Sequence, residues 1–153
     1  MKKLLVSETF DTFQLSEAVI TTFATFQIDG TFQTSNFGIQ DDQEFPVEKD
    51  SFTLWRRVRP FFFDLTKGKN TPLSFRIVFR LAPHNVAKLL TQSGIMMSPE
   101  DVDGLFLNIR FDENGLYCIS GTSLRIFTLD KSLEHAWDGM LEKFFRKKEI
   151  PYC

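Results

Sequence analysis

The sequence is poor in the residue types from which most small reactive sites are built. It holds two cysteines, two histidines, two tryptophans and two tyrosines among 153 residues. Cys118 falls inside a predicted strand and Cys153 is the last residue, so the two do not form the framework of a disulfide-rich protein. We therefore expect this chain in a reducing compartment, the cytoplasm.

Long apolar segments are also missing. The first apolar run, Leu4 to Val6, follows two lysines but stops at Ser7 and Glu8, which is too short for the apolar region of a signal peptide. No stretch approaches the roughly 20 apolar residues that cross a bilayer as a helix. We expect a soluble cytoplasmic protein that makes no membrane contact.

Charge and size are those of an ordinary globular protein. Hydrophobic residues make up 42% and charged residues 25% of the chain, and the formal net charge is −2. This length fits one globular domain, residues 1–153. The net charge gives no overall attraction to nucleic acid or to an anionic membrane, so a nucleic-acid partner is not expected.

Phenylalanine is the one residue type in surplus, with 18 copies. Phe buries a large apolar area without a polar atom to satisfy, which favours an aromatic-rich core. The alternative is that some Phe side chains form an exposed apolar patch. Such a patch would suit a homodimer or another protein partner.

Hydrophobic spacing predicts the elements of the first half. Residues 18–28 are dense in β-branched and aromatic side chains, and Asp29-Gly30 then predicts a type I′ hairpin turn. Residues 34–50 predict an acidic surface connection. Helical spacing follows over Phe52–Lys67 with Gly68 as its stop; Pro60 indicates either a kink or the start of a second helix.

The second half alternates between strand and helix patterns. The predicted elements, in chain order, are a strand over Leu73–Leu81, a helix over Pro83–Gln92, a single turn capped by Ser98, strands over Leu105–Phe111, Leu116–Ile119 and Leu124–Leu129, and a helix beginning near Asp130. Ser120–Ser123 is predicted as the turn between the last two strands. The fold class is therefore α+β. We expect a mostly antiparallel sheet, made of a hairpin, a central strand and a three-strand meander, with amphipathic helices packed on one face.

Motifs that carry chemistry are few, and no metal site, cofactor or catalytic set is predicted. His84 and His135 lack the neighbours of a metal-binding motif, and Asp101–Gly104 holds only part of a calcium loop. A small enzyme that uses Cys118 and His135 is the alternative, because the last helix must pack somewhere on the sheet. Inert buried cysteine is the simpler interpretation.

A basic segment is the most suggestive feature of the chain. Its residues, which we treat as candidate ligand-binding residues, are Trp55, Arg56, Arg57, Arg59, Lys67 and Lys69. Arg76 and Arg80 also share the polar side of the following strand. Positive charge beside aromatic rings suits a phosphate or a single-stranded nucleic acid. The alternative is a solvated surface that the acidic 41–50 segment neutralises.

Several stretches resemble an uncharacterised domain-of-unknown-function family of short proteins from Gram-positive anaerobic bacteria. The residues that carry the resemblance are Ser7–Asp11, Ile28–Gly30, Phe63–Lys69, Thr71–Phe75 and Gly121–Asp130. The resemblance implies a bacterial protein of unknown function, and it transfers no catalytic residue, ligand or partner.

These observations favour a small non-enzymatic binding or interaction module. It would use the exposed surface of its sheet, or the basic segment, to hold an anionic ligand or a protein partner, and a homodimer is one form of that partner. The alternatives are the Cys118/His135 enzyme and a weak nucleic-acid-binding protein.

Overall fold

The apolar residues of the chain alternate over strands and recur at helical spacing over helices, and both patterns are realised. The computed structural model describes residues 2–32, 52–66 and 72–151. Its elements are α1 (Lys2–Leu5), β1 (Gln14–Thr21), β2 (Thr25–Asp29), α2 (Trp55–Thr66), β3 (Ser74–Arg80), α3 (Pro83–Gln92), β4 (Val102–Asp112), β5 (Gly115–Leu124) and α4 (Ser132–Lys147). The α+β class is confirmed.

The five strands form one antiparallel sheet in the order β2-β1-β3-β4-β5. β3 is therefore the central strand, as its alternating burial requires. Strands β4 and β5 form a hairpin whose two-residue connection, Glu113 and Asn114, joins Asp112 to Gly115. Gly115 has a φ of 128°, a backbone conformation that residues with a side chain rarely adopt, so glycine is needed at the end of this turn.

One face of the sheet carries the core. It presents Leu15, Ala18 and Ile20 from β1, Phe75, Ile77 and Phe79 from β3, and Leu105, Leu107 and Ile109 from β4, all of them buried. The buried side chains of α2, α3 and α4 belong to the same apolar cluster. The helices therefore cover this face, which we call the covered face, and the prediction of one-sided helix packing is confirmed.

The helices follow their sequence signals closely. α3 has Pro83 as its first residue and ends before Gly94, whose φ is 65°. α4 buries Leu133, Trp137, Leu141 and Phe145, one side chain per turn. α2 runs through Pro60 as a single helix, so the alternative of a second helix is wrong. Among the described residues, no helix combines the length and the hydrophobicity needed to cross a bilayer.

The first hairpin exists, but its predicted turn at Asp29-Gly30 is wrong. Thr21 pairs with Thr25, so the chain turns at residues 22–24, and Asp29 ends β2. Gly30 instead lies against β1: its N–H donates to Ser16 O at 2.9 Å, and Thr53 N–H donates to its carbonyl. The glycine is needed for this close approach of two backbones rather than for a type I′ turn.

The predicted three-strand meander is also wrong. Residues 115–124 form one strand, β5, so Ser120–Ser123 is strand rather than turn. The reason is that β4 is eleven residues long and offers a partner to every residue of β5 up to Leu124. Beyond it, Arg125 N–H donates to Asp101 O, and the predicted strand Leu124–Leu129 leaves the sheet. Asp130 then accepts from Ser132 N–H one residue before the cap of α4.

Phenylalanine occupies both of the places that the sequence allows. In the described part of the chain, six copies are buried in the core: Phe10, Phe13, Phe62, Phe75, Phe79 and Phe145. Their rings contact one another, as in the stacked pair Phe10–Phe79 at a 5.3 Å centroid distance. Other copies, among them Phe23 and Phe127, are exposed. The predicted acidic connection over residues 34–50 and the helix stop at Gly68 lie outside the described residues.

Candidate functional site

The face of the sheet opposite the helices, which we call the open face, carries a band of arginines. Its side chains include Glu17 and Val19 from β1, Arg76, Val78 and Arg80 from β3, Phe106, Asn108 and Arg110 from β4, and Tyr117 and Ile119 from β5. None of them is a member of the buried core. Strand alternation explains this composition, since every second residue of a strand points away from the core.

Arg76 and Arg110 lie directly opposite each other on neighbouring strands. Val19 continues this row on one side and Tyr117 on the other. Like charges in directly opposite cross-strand positions destabilise a sheet. The sequence therefore places two guanidinium groups where strand pairing alone would disfavour them.

One carboxylate offsets part of this charge. Arg76 Nη2 donates to Glu17 Oε1 at 2.5 Å, and the two side chains keep 41% and 35% of their surface exposed. Arg110 is exposed, and within residues 2–32, 52–66 and 72–151 its side chain forms no hydrogen bond or ion pair. The pair therefore carries one positive charge that its described neighbours do not neutralise.

Arg80 belongs to the same face but is held more tightly. Its guanidinium carbon lies 4.1 Å from the ring centroid of Phe52 and 5.5 Å from that of Phe106. Nη2 donates to Asp103 O at 3.1 Å, while the buried Nε has no partner in the described structure. Burial lowers the pKa of Arg80 below its ordinary value, although nearby Asp103 opposes this effect.

The absence of a side chain at Gly104 makes room for the Phe106 ring. A Cβ atom added at Gly104 would stand 2.5 Å from Phe106 Cζ, so the ring lies over Gly104. Gly121 is the cross-strand partner of Phe106 on β5. Because Gly104 has no side chain, the Phe106 ring can occupy this position, where its centroid lies 5.5 Å from the Arg80 guanidinium carbon.

The basic segment predicted from the sequence is distributed over different environments. Trp55 is fully buried, and its Nε1 donates to Leu4 O at 3.2 Å. Arg59 donates to both carboxylate oxygens of Asp11, at 2.9 and 3.1 Å. Trp55 and Arg59 therefore hold the first residues of the chain against α2.

The remaining members of the basic segment are two arginines and two lysines. Arg56 and Arg57 lie on α2 and are half-buried, and the Arg57 guanidinium carbon is 5.7 Å from the Phe32 ring centroid. Lys67 and Lys69 lie outside the described residues.

The alternative catalytic pair, Cys118 and His135, gains no support from the geometry. Cys118 is exposed, so its interpretation as a buried cysteine is wrong. Partial desolvation nevertheless raises the pKa of its thiol, whereas a nucleophilic cysteine requires a lowered pKa. In the described part of the chain no hydrogen bond joins this thiol to His135, and the polar contact between β5 and α4 is Ser120 Oγ donating to Asp138 Oδ1. No group of three or more metal-binding side chains occurs among the described residues.

A shallow pocket lies at the end of the sheet near the 3₁₀ turn of Pro99–Asp101. Its volume is about 200 Å³, and it is lined by Ile95, Met96, Met97, Asp101, Ile126, Thr128 and Asp130. Sites for small organic ligands are larger, roughly 300–1,000 Å³. Among the described surfaces, the open face is therefore the stronger candidate.

Comparison with known families assigns the chain. The model described as "Family of unknown function (DUF5721)" matches residues 3–153. The chain belongs to the DUF5721 family. A search of curated proteins finds no match, and a search of solved structures finds none either. The resemblance to a domain of unknown function is confirmed, whereas the origin in Gram-positive anaerobes stays a prediction.

Membership in DUF5721 supplies no assigned activity, so the site must be argued from its residues. The sequence predicted that Arg76 and Arg80 share one side of β3, but it did not single out Arg110, Tyr117 or Phe106. The signal for two of them was present: Phe106 and Arg110 alternate with the apolar positions of β4. Strand register was the missing information, because it alone places Arg110 opposite Arg76.

Proposed function

We propose that this DUF5721 chain is a binding module for a ligand that carries a phosphate or carboxylate group, and that Arg76 and Arg110 hold that group. The observation that carries the proposal is their directly opposite placement on the open face, where Glu17 is the one carboxylate among the described residues that is bonded to the pair. An anion between the two guanidinium groups would remove the repulsion that strand pairing imposes.

The chemistry of arginine supports binding rather than proton transfer. Its guanidinium group stays protonated in proteins and donates several hydrogen bonds from a planar fork, which matches phosphate and carboxylate oxygens. The phenol of Tyr117 follows Arg110 in the same cross-strand row and is 43% exposed. We infer that it donates a further hydrogen bond or contacts the less polar part of the ligand.

The surroundings of the pair favour a small or extended ligand over one enclosed in a pocket. The open face is antiparallel sheet, and the Phe106 ring and the Arg80 guanidinium lie beside the pair on β4 and β3. A ligand there would remain partly solvated, so its electrostatic attraction would weaken with salt. We expect modest affinity at physiological ionic strength.

The basic segment of α2 remains a second proposal for the same function. Arg56 and Arg57 are its described candidates, with Lys67 and Lys69 as sequence-based ones. Trp55 would support such a site from the core rather than touch the ligand, because none of its surface is exposed. Both sites predict anion binding, and substitutions at Arg110 or at Arg56 and Arg57 show which of the two sites binds the anion.

Isothermal titration calorimetry with inorganic phosphate, pyrophosphate and citrate at low salt tests the proposal. We expect Arg110→Gln to weaken binding about tenfold, since one charge-assisted hydrogen bond contributes about 1.5–3 kcal/mol. Lys147→Gln, which removes the same charge from the exposed end of α4, is the matched control. Unchanged binding in Arg110→Gln, combined with loss in an Arg56→Gln/Arg57→Gln variant, would move the site to α2.

A further inference from the structure

The last strand of the sheet, β5, has an outer edge that no other described strand covers. The strand order ends at β5, whose ladder partner is β4. Within the described residues, no strand other than β4 forms a backbone hydrogen bond with β5. Its N–H and C=O groups that point away from β4 are therefore available to a further strand.

The side chains of this edge are exposed on both faces of the sheet. Leu116, Tyr117 and Ile119 keep 45%, 43% and 52% of their surface, and Cys118 and Ser120 are exposed as well. An inner strand with such exposure would be unusual, because its neighbours would cover part of each side chain. Apolar residues with this exposure on a free edge are typical of a surface that pairs with another chain.

The edge also lacks the features by which proteins prevent strand pairing. Gly115–Leu124 contains no charged residue and no proline. Lysines, prolines and inward-pointing charges are the usual protections of a free edge. The ten-residue length of β5 gives further room for a continuous ladder.

We propose that the outer edge of β5 pairs antiparallel with β5 of a second copy of this chain, centred on Cys118. The five consecutive exposed residues of β5, Leu116–Ser120, have Cys118 at their centre. An antiparallel pair of identical strands forms a two-fold interface, in which each residue faces one from the same set. The two sheets thereby join into one ten-stranded sheet.

The proposed register makes favourable contacts on both faces. Tyr117 of one copy lies opposite Ile119 of the other on the open face, an aromatic and β-branched pair that stabilises sheets. Leu116 lies opposite Ser120 on the other face. Because β5 is uncharged, pairing with a second copy brings no like charges together along the ladder. The strand also has no charge that would favour a partner of opposite charge over a second copy.

The carboxylate of Asp138 leaves the proposed interface undisturbed. Asp138 on α4 accepts a hydrogen bond from Ser120 Oγ at 2.5 Å, so each copy brings one carboxylate near the two-fold axis of the proposed dimer. The two Ser120 residues are four positions apart along the ladder, which is about 14 Å. This exceeds the Debye length of about 8 Å at physiological salt, so repulsion between the two carboxylates is weak.

The interface is small, and its dissociation on dilution makes it measurable. Stable interfaces involve about 20–30 residues from each partner, whereas a single edge strand supplies fewer. We expect a reversible dimer. Sedimentation equilibrium of the full chain over a range of concentrations should show association for the natural sequence and a monomer for Ile119→Lys.

A matched control separates this edge from other apolar surfaces. Leu129→Lys introduces the same charge at a residue that is 82% exposed and lies outside the sheet, so its association should equal that of the natural sequence. Circular dichroism confirms that each variant is folded. If the natural chain is strictly monomeric, the proposal that a second copy pairs with this edge is wrong. A strand of a different protein would then be the partner to test.

Crosslinking gives a second test that needs no disruptive variant. In Cys153→Ser, Cys118 is the remaining cysteine, and the proposed register brings the two copies of its Cα atom to about 5.5 Å. A short bifunctional maleimide should then yield a covalent dimer whose amount rises with protein concentration. Association without a crosslink would exclude the register centred on Cys118 and overturn the proposal.

Discussion

Gly30 lies so close to the backbone of Leu15 that a Cβ atom built on it would stand 1.8 Å from the Leu15 carbonyl oxygen. The same glycine connects two segments, since its N–H donates to Ser16 O and its carbonyl accepts from Thr53 N–H. No side-chain rotation relieves a contact between a Cβ atom and a backbone oxygen. A side chain at this position must therefore displace β1 or residues 52–54.

Gly30→Ala should destabilise the protein by about 1–3 kcal/mol, the usual cost of overpacking, and by more if the Leu15 ladder breaks. Gly139→Ala is the matched control, because an added Cβ at this α4 residue meets nothing within 4 Å. Alanine in a helix interior should raise stability there by about 0.5–1 kcal/mol. Chemical denaturation of both variants measures the opposite signs; equal effects would contradict the close approach at Gly30.

The ion pair between Arg59 and Asp11 should couple the first residues of the chain to α2. Its side chains are 18% and 15% exposed, and Arg59 also donates to Val6 O at 3.0 Å. We expect a coupling energy of about 1–2 kcal/mol in a double-mutant cycle of Asp11→Asn and Arg59→Met.

The exposed pair Lys131–Glu134 is the comparison for this cycle. Exposed ion pairs contribute about 0.2–1 kcal/mol, because water screens them and their side chains lose freedom. Its coupling energy should therefore be the smaller of the two. A larger value for Lys131–Glu134 would mean that the Arg59–Asp11 pair is not structural.

The Cys118 thiol should react slowly with alkylating reagents. Partial burial raises its pKa, so at neutral pH less of it is thiolate than in a model thiol. The iodoacetamide rate of a Cys153→Ser variant, followed against pH at low protein concentration, should have its midpoint above the ordinary thiol value. A midpoint below that value would revive the enzyme hypothesis with Cys118 as nucleophile.

Removing Glu17 should separate the binding and the stability roles of the arginine pair. In Glu17→Gln, Arg76 and Arg110 repel each other without a carboxylate, which should cost up to about 1 kcal/mol of stability. The same change should tighten phosphate binding, because the ligand no longer competes with Glu17 for Arg76. Thermal unfolding with and without phosphate measures both effects, and weaker phosphate binding in this variant would contradict the proposed site.

How far the sequence predicts the fold depends on whether a signal is local. The alternation over β3 and the Pro83 and Gly94 boundaries of α3 are local, and they predict those elements within a residue. Asp29-Gly30 is a local signal with two solutions, a turn or a close backbone contact, and only the packing of residues 52–54 selects the second. The true turn begins at Thr22, a polar residue that interrupts the apolar parity of Ile20, Ala24 and Phe26.

The candidate site depends on non-local information to a greater degree. Helical spacing already placed Trp55 among the apolar positions of α2, and its burial follows from that pattern. By contrast, the pairing of Arg76 with Arg110 requires the register of two strands that α3 separates in the chain. The alternation of apolar and polar residues gives the face of the sheet on which each arginine lies, but it does not show which two arginines are cross-strand partners.

The most direct test of anion binding on the open face is an NMR titration that follows the arginine Nε–H signals as inorganic phosphate is added at low salt. We expect the Arg76 and Arg110 signals to shift together and saturate, and we expect Arg110→Gln to move the saturation of the Arg76 shift to about tenfold higher phosphate. Saturating shifts confined to Arg56 and Arg57, or no saturating shift at any arginine, would contradict anion binding on the open face.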